Sequence, residues 1–410
     1  MNEKNTKLNI MQGLIFSLAI FLLMKPVFVW PMLHISMVIS GLLLLLALLI
    51  QGKIALKNLA LTAFIFISLA VYKTLEGASP AGIIFFSFTA SIIVLIHEDA
   101  LLKAFFYIKK VLAIFIVLGG GLWIVHTALG DANFFLMGYL PENYILNELK
   151  VQAGHKYALY PFSTRISYSS VTEFYRFQSV FDEPGYLGTI IGLILTADRC
   201  NMKSLTNKIL FLGGVASLSL AFYVIIFVYY MAFLISNPLR FLKIFCSSML
   251  VILILYSTDI GGNLIDSLLV ERLSVNNGEI AGDNRSGDKL DQQFDYFINK
   301  SSIMEKVFGL ENLINDGSSS IKQVFIKTGY LGFFLISLVF LLLSIFYRSR
   351  ISYSTLVFIM VFLLSSYQRP SIENPEYIFI FVIGLIFFDR PKHKKVRTMP
   401  SNIGEVRMTE

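Results

Sequence analysis

Residues 209–235 read ILFLGGVASLSLAFYVIIFVYYMAFLI, and the number of helices in this apolar stretch decides how the whole chain is threaded. The stretch is long enough for one long, tilted helix, and it is also long enough for two short helices joined by a tight turn. Ser217 and Ser219 lie near its middle, where such a turn is expected. A turn there reverses the chain, whereas a single helix sends every later segment to the opposite side.

The composition of the chain is that of a protein that crosses a membrane many times. Of its 410 residues, 56% are hydrophobic and only 15% are charged, whereas about a quarter of the residues of a soluble domain are charged. The first apolar run follows Lys4 and Lys7 as in a signal peptide, but no small-residue cleavage site precedes Lys25 and Pro26. We therefore interpret it as the uncleaved first span of a polytopic membrane protein.

Runs of apolar residues predict twelve membrane spans. They lie at about 9–28, 31–50, 58–72, 79–97, 111–129, 185–197, 207–218, 220–237, 244–258, 324–346, 352–367 and 374–388. With a turn in residues 209–235 and a cytoplasmic N-terminus, the short external connections hold only Lys25, Lys73 and Arg369 as basic residues. A single helix would instead place the basic C-terminal tail outside. The charge distribution therefore predicts the turn, twelve spans and two cytoplasmic termini.

The predicted fold is an all-α polytopic integral membrane protein with about twelve transmembrane helices and two large external loops that contain short amphipathic helices. The chain divides into helices 1–5 (residues 1–129), a first large loop (130–184), helices 6–9 (185–258), a second large loop (259–323), helices 10–12 (324–388) and a basic cytoplasmic tail (389–410). Helical spacing of apolar residues over 294–314 predicts an amphipathic helix that caps the bundle or rests on the outer leaflet. Residues 98–110 are predicted to lie flat on the cytoplasmic surface.

The motifs of soluble enzymes are absent from the sequence. It contains no P-loop, no GxGxxG, no HExxH and no CxxC pair, and its five histidines lack metal-ligand spacing. We therefore expect no cofactor and no metal. The net charge of +7 comes mostly from short loops and the tail, where basic residues orient the spans, so no nucleic-acid partner is expected. The glycine runs 119–121 and 213–214 are expected to let spans pack closely.

Arginines and carboxylates gather in the predicted external segments. They are Arg165, Glu173, Arg176, Asp182 and Glu183 in the first loop, Arg272 and Arg285 in the second, and Arg369, Glu373 and Glu376 in QRPSIENPE (368–376). The second loop holds eleven carboxylates against six basic residues, which does not suit a diffuse lipid-binding patch. A guanidinium matches a phosphate with two parallel hydrogen bonds, which suits a lipid-linked diphosphate at the outer leaflet. A loop salt bridge or a headgroup contact is the simpler alternative for each arginine.

The acidic residues just before the sixth span also have a simpler explanation. Asp182, Glu183 and Pro184 make a good helix start, because proline fits the first turn and acids favour the positive end of the helix dipole. A helix start therefore explains these residue types without any chemistry.

The stretch RFQSVFDEPGYLG (176–188) resembles the Arg-x-x-Gly-x-Phe-x-Glu-Pro segment of bacterial O-antigen and capsule polymerases of the Wzy type. Four residues match that segment as they stand: Arg176, Phe181, Glu183 and Pro184. Ser179 stands where the family often has glycine, which suggests that small size matters more there than backbone freedom. The second loop is similar in its order of two arginines, VFGLEN (307–312) and TGYLGFF (328–334). The resemblance covers about residues 170–345 and the twelve-span layout.

The resemblance implies a glycosyltransferase that joins oligosaccharide repeat units carried on undecaprenyl diphosphate. It would act at the outer face of the bacterial plasma membrane in O-antigen or capsule biosynthesis. The growing glycan leaves its lipid diphosphate for the next lipid-linked unit, so no nucleotide sugar is consumed. The implied partners are the lipid-linked oligosaccharide, the bilayer and, in the same pathway, a flippase and a chain-length regulator.

The resemblance also suggests roles for the charged residues. Glu183 is the first candidate for the general base, and Arg176 and Arg272 would stabilise the charge that develops on the leaving diphosphate. The further candidates for binding diphosphate or glycan, or for serving as a reserve base, are Arg285, Arg165, Arg369, Glu173 and His155.

Two rival functions stay open. An O-antigen ligase shares this architecture, but ligases carry a histidine motif in the second large loop, and residues 259–323 contain no histidine. A flippase for the lipid-linked unit belongs to a different class of protein. Transporters show internal repeats and ionisable residues at the membrane midplane, whereas the predicted spans are almost free of charge at their centres.

Overall fold

Apolar α-helices make up most of the described chain. The computed structural model describes residues 3–52, 54, 56–129, 134–145, 151, 156–167, 176–234, 239, 275–276, 279–280, 288–310, 320–347 and 352–389. Within this part, four helices are long and apolar enough to cross a membrane, and seven shorter apolar helices accompany them. These helices coincide with eleven of the predicted spans, and the remaining prediction, at 244–258, lies outside the described residues. Helices of this length and composition support a membrane protein.

The helices whose bounds the structure describes are numbered here in chain order. They are α1 (Glu3–Leu23), α2 (Leu33–Gln51), α3 (Leu56–Leu75), α4 (Pro80–Ile92), α5 (Glu98–Leu129), α6 (Pro184–Ala197), α7 (Leu205–Ala216), α8 (Leu220–Leu234), α9 (Asp288–Asn299), α10 (Ile303–Phe308), α11 (Ile321–Tyr347), α12 (Tyr353–Gln368) and α13 (Pro375–Asp389). A short 3-10 helix, Val27–Met32, leads into α2, and another, Ile93–Leu95, extends α4.

The stretch that decides the threading forms two helices, as predicted. Helix α7 ends at Ala216 and α8 begins at Leu220, and the turn between them has Leu218 at φ 48°. The Ser217 hydroxyl donates to the Gly214 carbonyl at 2.6 Å and closes the end of α7. The turn also packs tightly on α6, because a Cβ added at Gly188 would lie 2.4 Å from Ser219 Cβ. Small residues therefore let this turn approach the neighbouring helix.

Helix α13 runs through the centre of the bundle. Its residues from Ile378 to Ile383 are completely inaccessible to solvent, and it contacts α1, α4, α5, α6, α11 and α12. A helix that is apolar on all sides is stable only inside such a packing of other helices. The loop before α13 is consequently buried at one end of the bundle, where Glu373 and Glu376 are 1% and 4% exposed.

The described helices run in alternate directions between two ends of the bundle. At one end, the Lys73 ammonium near the end of α3 lies 3.0 Å from Glu373, and Arg369 pairs with Glu183 before α6. This end, called the Arg369 end below, also holds the turn between α7 and α8 and the close of α1, where the Val27 amide donates to Val180. The opposite end, called the Asp198 end, holds the close of α2, α6 and α13 and the start of α5, α7 and α12.

Helix α5 corrects the prediction of a flat surface helix at 98–110. The segment is the first part of one unbroken helix, Glu98–Leu129, which packs lengthwise against α1. Lys109 is 2% exposed and forms an ion pair with Asp198, which also accepts a hydrogen bond from Asn207 at 2.8 Å. The apolar spacing therefore marks a face buried in the bundle, and the lysine on that face is matched by a carboxylate that lies far away in the sequence.

The first loop contains a β-sheet where short helices were predicted. Strands β1 (Gly138–Tyr139), β2 (Lys156–Tyr160) and β3 (Ser163–Ser167) form an antiparallel sheet in that order. Tyr157 in β2 is fully buried and meets the ring of Trp30 edge-on, with ring centroids 5.3 Å apart. Alternating side chains of a strand face opposite sides, so one face of the sheet covers the 3-10 helix before α2. This packing fixes the loop against the bundle.

The second loop contains two helices in place of the single amphipathic helix predicted over 294–314. Helix α9 ends at Asn299, and α10 begins after Ser302, whose hydroxyl and backbone form a reciprocal capping box with Glu305. This capping box supplies a new helix start and explains the break. Phe297 of α9 is fully buried against Ile326 of α11, so the pair of helices caps the bundle.

The remaining described strands are β4 (Val275–Asn276) and β5 (Glu279–Ile280).

Two glycines lock α10 onto a bend in α11. Gly329 has φ 62° and ψ −170°, and Gly309 has φ 98° and ψ 170°, a backbone region that only glycine occupies readily. A Cβ at Gly329 would lie 2.2 Å from the Val307 carbonyl oxygen, and one at Gly309 would lie 2.2 Å from the Lys327 carbonyl oxygen. The glycines of VFGLEN and TGYLGFF therefore meet, and the bend divides α11 into a short first part and a long second part.

Candidate functional site

The Arg369 end of the bundle brings together charged residues from both sides of the central helix. Arg369 donates through Nη2 to the Glu183 carboxylate, which joins the loop after α12 to the start of α6. The two side chains are 17% and 31% exposed, so the pair is reached by solvent only in part. A Cβ at Gly185 would lie 2.8 Å from Arg369 Nη2, which shows that the glycine leaves room for the guanidinium.

The helix start accounts for the position of Glu183 but not for the contact of its side chain. Glu183 occupies the N-cap of α6 with Pro184 in the first turn, as predicted for this segment. Its carboxylate makes no capping hydrogen bond to the helix backbone and lies instead on Arg369. One of its two carboxylate oxygens, Oε2, therefore accepts a hydrogen bond from an arginine.

Arg176 lies at the same end and holds the turn between α7 and α8. Its Nε donates to the Ser217 carbonyl at 3.2 Å, and its Nη2 donates to the Leu218 carbonyl at 2.9 Å. These carbonyls lie beyond the end of α7 and have no intrahelical partner to replace the arginine. Two of the three guanidinium nitrogens thus bind backbone, which gives Arg176 a structural role whatever else it does.

The segment between Arg176 and Glu183 is buried and bound on several sides. Residues 177–181 are each at most 2% exposed. The Thr164 amide in β3 donates to the Ser179 carbonyl at 2.7 Å, and the Phe177 amide donates to the Ala216 carbonyl at 3.3 Å. The segment therefore joins the sheet of the first loop to the turn after α7, and it fixes the spacing of the two charged residues at its ends.

Ser179 corrects the interpretation that small size matters more than backbone freedom at its position. Its φ is 53°, in the left-handed region that glycine adopts most readily. It is also 1% exposed, so both the backbone conformation and the available space restrict this position. Glycine would satisfy both restrictions at this position.

A second ion pair at this end was not predicted. The Lys73 ammonium lies 2.5 Å from Glu76 and 3.0 Å from Glu373, and it also lies 4.2 Å from the centre of the Phe86 ring. The Glu373 Oε2 atom is buried and accepts no hydrogen bond from the described residues. The sequence signal was a lone lysine at the outward end of a predicted span, but nothing in the sequence indicates that its partner is 300 residues away.

A further carboxylate lies in the first turn of the central helix. The Tyr186 hydroxyl of α6 donates to Glu376 Oε1 at 3.2 Å. Lys25 at the close of α1 is near enough to act on Glu376 electrostatically. The loop that begins at Arg369 and the first turn of α13 therefore contact α3 and α6 through charged or polar side chains, and each contact falls at the same end of the bundle.

Burial and ion pairing shift the pKa values of Arg369 and Glu373 in opposite directions. Burial lowers the pKa of Arg369, but Glu183, Tyr377 and Asp182 together raise it by more, so the guanidinium keeps its charge. Burial raises the pKa of Glu373 above its ordinary value of 4.5, because the Lys73 ammonium offsets burial only in part and Glu76 adds to the rise. The loop thus combines a permanent cation with a carboxylate whose charge is disfavoured.

Only some of the predicted site residues meet at the Arg369 end. Arg176, Glu183 and Arg369 lie there, and Arg165 lies nearby in β3, next to the Thr164 that contacts Ser179. The remaining predicted site residues lie outside the described residues: Glu173, His155, Arg272 and Arg285. In the part of the chain that the structure describes, no group of three or more His, Cys, Asp or Glu side chains is arranged to hold a metal ion.

The chemistry of this end is that of paired charges. An anionic ligand that binds Arg369 through Nη2 must compete with Glu183, whose carboxylate accepts a hydrogen bond from that nitrogen. Comparison of the chain with protein-family models, with curated proteins and with solved structures finds no match in any of the three.

Proposed function

We propose that the chain is a polysaccharide polymerase of the bacterial plasma membrane. It would join oligosaccharide repeat units carried on undecaprenyl diphosphate, in O-antigen or capsule biosynthesis, by transferring the growing glycan from its lipid to the next unit. The proposal rests on the resemblance of residues 176–188 to the polymerase segment and on one structural observation. Within that segment, the Glu183 carboxylate is paired with an arginine from the loop before the central helix.

In the proposed reaction, the Glu183–Arg369 pair works by exchange. The substrate diphosphate competes with Glu183 for the guanidinium, and a guanidinium binds phosphate with two parallel hydrogen bonds. Release from Arg369 leaves the Glu183 carboxylate able to accept a proton. The acceptor hydroxyl then attacks the anomeric carbon, its proton passes to Glu183, and the electrons of the breaking bond to the diphosphate remain on the phosphate oxygen.

In the proposed exchange, Arg369 stabilises the transition state more than the ground state. Negative charge grows on the diphosphate as the glycosidic bond breaks, and a preorganised cation stabilises that growing charge. Arg176 contributes by holding the turn between α7 and α8, because its Nη2 donates to the Leu218 carbonyl at 2.9 Å. This hydrogen bond fixes the turn next to the buried segment 177–181. Arg272 and Arg285 remain proposed diphosphate ligands, and Arg165, Glu173 and His155 remain proposed glycan contacts.

The proposed topology places the Arg369 end outside the cell. Twelve spans with both termini in the cytoplasm would put the Asp198 end inside. The distribution of basic residues supports this orientation, because Lys103, Arg199, Lys203 and Lys208 belong to the Asp198 end, and cytoplasmic segments of membrane proteins are rich in such residues. Lipid-linked oligosaccharide on the outer leaflet would then reach Glu183 and Arg369.

The proposal is tested by deleting the gene and analysing the glycan that the cells make. A polymerase deletion leaves single repeat units attached to the acceptor, and the intact gene restores long chains. Long chains in the deletion strain would contradict the proposal. Accumulation of unattached polymer would instead indicate a ligase, and accumulation of the repeat unit on the cytoplasmic leaflet would indicate a flippase.

A further inference from the structure

A groove opens beside the second-loop helices at the Arg369 end. It has a volume of about 890 Å³ and lies between α9, α10, the first part of α11 and Leu75 at the close of α3. Binding sites for small ligands usually have volumes of about 300–1,000 Å³. The groove is distinct from the Glu183–Arg369 pair, since neither of those residues lines it.

The walls of the groove carry hydrogen-bonding and aromatic side chains together. Gln292, Gln293 and Tyr296 come from successive turns of α9, and Lys289 comes from its first turn. Tyr296 is 46% exposed, so its ring offers a flat surface to a ligand. Amides that donate and accept hydrogen bonds, set beside an aromatic ring, suit a hydroxyl-rich ligand that has apolar C–H faces.

Two lysines give the groove its charge. Lys289 and Lys327 face it from α9 and α11, and neither forms an ion pair with the described residues. The nearby Lys322, by contrast, lies 2.6 Å from Asp291. The carboxylate of Glu305, which also lines the groove, accepts a hydrogen bond from the Ser302 amide at 2.7 Å. The groove is therefore suited to a ligand that carries negative charge.

The bend at Gly329 separates the groove from the part of α11 that is long enough to cross a membrane. The part of α11 after the bend, residues 330–347, is about 27 Å long at 1.5 Å per residue, which is close to the thickness of the hydrocarbon core. The first part of α11, which carries Lys327, therefore extends past the apolar layer together with α9 and α10. A ligand in the groove would lie among polar groups at the membrane surface.

We propose that this groove binds an acidic saccharide, with Lys289 and Lys327 on its carboxylate or phosphate groups and Tyr296 against a sugar ring. The inference rests on the proposed function, because it assigns the groove to the glycan part of the polymerase substrate. It adds that the repeat unit carries negative charge, and it separates glycan binding from the reacting centre at Glu183 and Arg369.

The test measures binding to the full chain in lipid nanodiscs by isothermal titration calorimetry. The probes are a tetrasaccharide that contains glucuronic acid, the same tetrasaccharide after carboxyl reduction, and inorganic phosphate. We expect the acidic tetrasaccharide to bind about tenfold more weakly to the Lys289→Gln/Lys327→Gln double variant than to the wild type. Lys300→Gln, which changes an exposed lysine outside the groove, serves as the matched control and is expected to bind as the wild type does.

Two further arms keep the outcomes distinct. A Lys289→Arg/Lys327→Arg variant keeps the charge and is expected to retain binding, which excludes a folding defect at these positions. Equal binding by the wild type and the Gln double variant would overturn the proposal, as would equal binding of the acidic and reduced tetrasaccharides. Full competition by inorganic phosphate or by anionic lipid in the nanodisc would also overturn it, because the site would then recognise only an anion. Failure of the polymerase proposal is seen separately, in the glycan made by the deletion strain.

Discussion

Arg369 donates a hydrogen bond to the Glu183 carboxylate across 186 residues of sequence. The pair joins the start of α6 to the loop before the central helix α13, and it involves a carboxylate that a helix start alone would explain. A substitution of Glu183 therefore also changes the surroundings of Arg369, and a substitution of Arg369 changes those of Glu183. The pair also affects an anionic ligand of Arg369, which must compete with the Glu183 carboxylate for Nη2.

Replacing Glu183 and Arg369 separately distinguishes the proposed general base, Glu183, from the proposed diphosphate ligand, Arg369. We expect Glu183→Gln to retain binding of the lipid-linked substrate while polymerisation falls by at least about 100-fold, since general-base catalysis contributes roughly 100- to 10,000-fold. Arg369→Gln is expected to lose both binding and polymerisation. Binding is measured with labelled lipid-linked repeat units, and turnover is measured as chain length on gels.

The stability of these variants supplies the control. The side chains of the pair are only 17% and 31% exposed, so each single variant, which leaves one partner unpaired, is expected to lose about 1–3 kcal/mol of stability. The double variant should lose little more than either single variant, because both remove the same contact. If Glu183→Gln made polymer of normal length, its role as a base would be wrong.

Arg176→Ala tests the anchoring of the turn between α7 and α8. The variant leaves the Ser217 and Leu218 carbonyls without their charged donor, which is expected to cost about 1–3 kcal/mol. We expect a lower melting temperature in detergent and shorter glycan in cells. Arg176→Lys keeps the charge but loses the two-nitrogen geometry, so an intermediate melting temperature is expected. An unchanged melting temperature for Arg176→Ala would show that these hydrogen bonds do not stabilise the turn.

The glycine run at 119–121 offers a matched pair of substitutions in one helix. A Cβ at Gly119 would lie 2.6 Å from the Phe162 carbonyl oxygen, whereas a Cβ at Gly121 would meet nothing within 4 Å. Gly119→Ala is therefore expected to destabilise the chain by about 1–3 kcal/mol. Gly121→Ala is expected to be neutral or to stabilise it by up to about 1 kcal/mol. Thermal unfolding of the two purified variants measures this difference, and equal melting temperatures would contradict the packing of α5 on the hairpin of β2 and β3.

Ser179→Gly is expected to be tolerated and to stabilise the folded chain by up to about 1 kcal/mol. The serine has φ 53°, and a left-handed conformation costs a residue with a Cβ about 1–2 kcal/mol, of which glycine's greater freedom in the unfolded chain cancels a part. Ser179→Val, which adds bulk to a residue that is 1% exposed, is expected to reduce the amount of folded protein. Loss of stability in the glycine variant would show that the serine hydroxyl matters more than the backbone conformation.

Glu373 is expected to make stability fall with rising pH. Burial raises its pKa in the folded chain above 4.5, so the folded chain binds this proton more tightly than the unfolded chain does. Stability from this group is therefore fully present below pH 4.5 and is lost as the pH rises from there through the raised pKa. We expect Glu373→Gln to remove this part of the dependence of the melting temperature on pH, and identical profiles for variant and wild type would contradict the account.

Much of the fold follows from patterns along the chain. Apolar runs and basic residues located the helices and the turn at Ser217 and Ser219, because the membrane restricts both span length and the placement of charge. The same reasoning went wrong at residues 98–110, where Lys109 is buried against Asp198 in a contact that joins distant parts of the sequence. It also missed the sheet that covers Trp30, since three short strands separated by long connections give a weak periodic signal.

The candidate site was less predictable than the fold. The segment from Arg176 to Glu183 stood out as charged residues beside a span, and Arg369 became a candidate because its segment was predicted to be external. Neither pattern indicates which arginine meets which carboxylate, because ion pairs such as Lys73–Glu373 depend on how the helices pack. The left-handed conformation of Ser179 was missed for a similar reason, since a serine gives no direct sign of a positive φ.

The measurement that tests the central claim most directly is polymerisation by the purified chain. Undecaprenyl-diphosphate-linked repeat units, isolated from cells in which the gene is deleted, are incubated with the wild type or with Glu183→Gln in nanodiscs, and the products are separated by size. The account predicts a ladder of polymer and released undecaprenyl diphosphate with the wild type, and unextended repeat units with Glu183→Gln. Repeat units that stay single with the folded wild-type protein would contradict it.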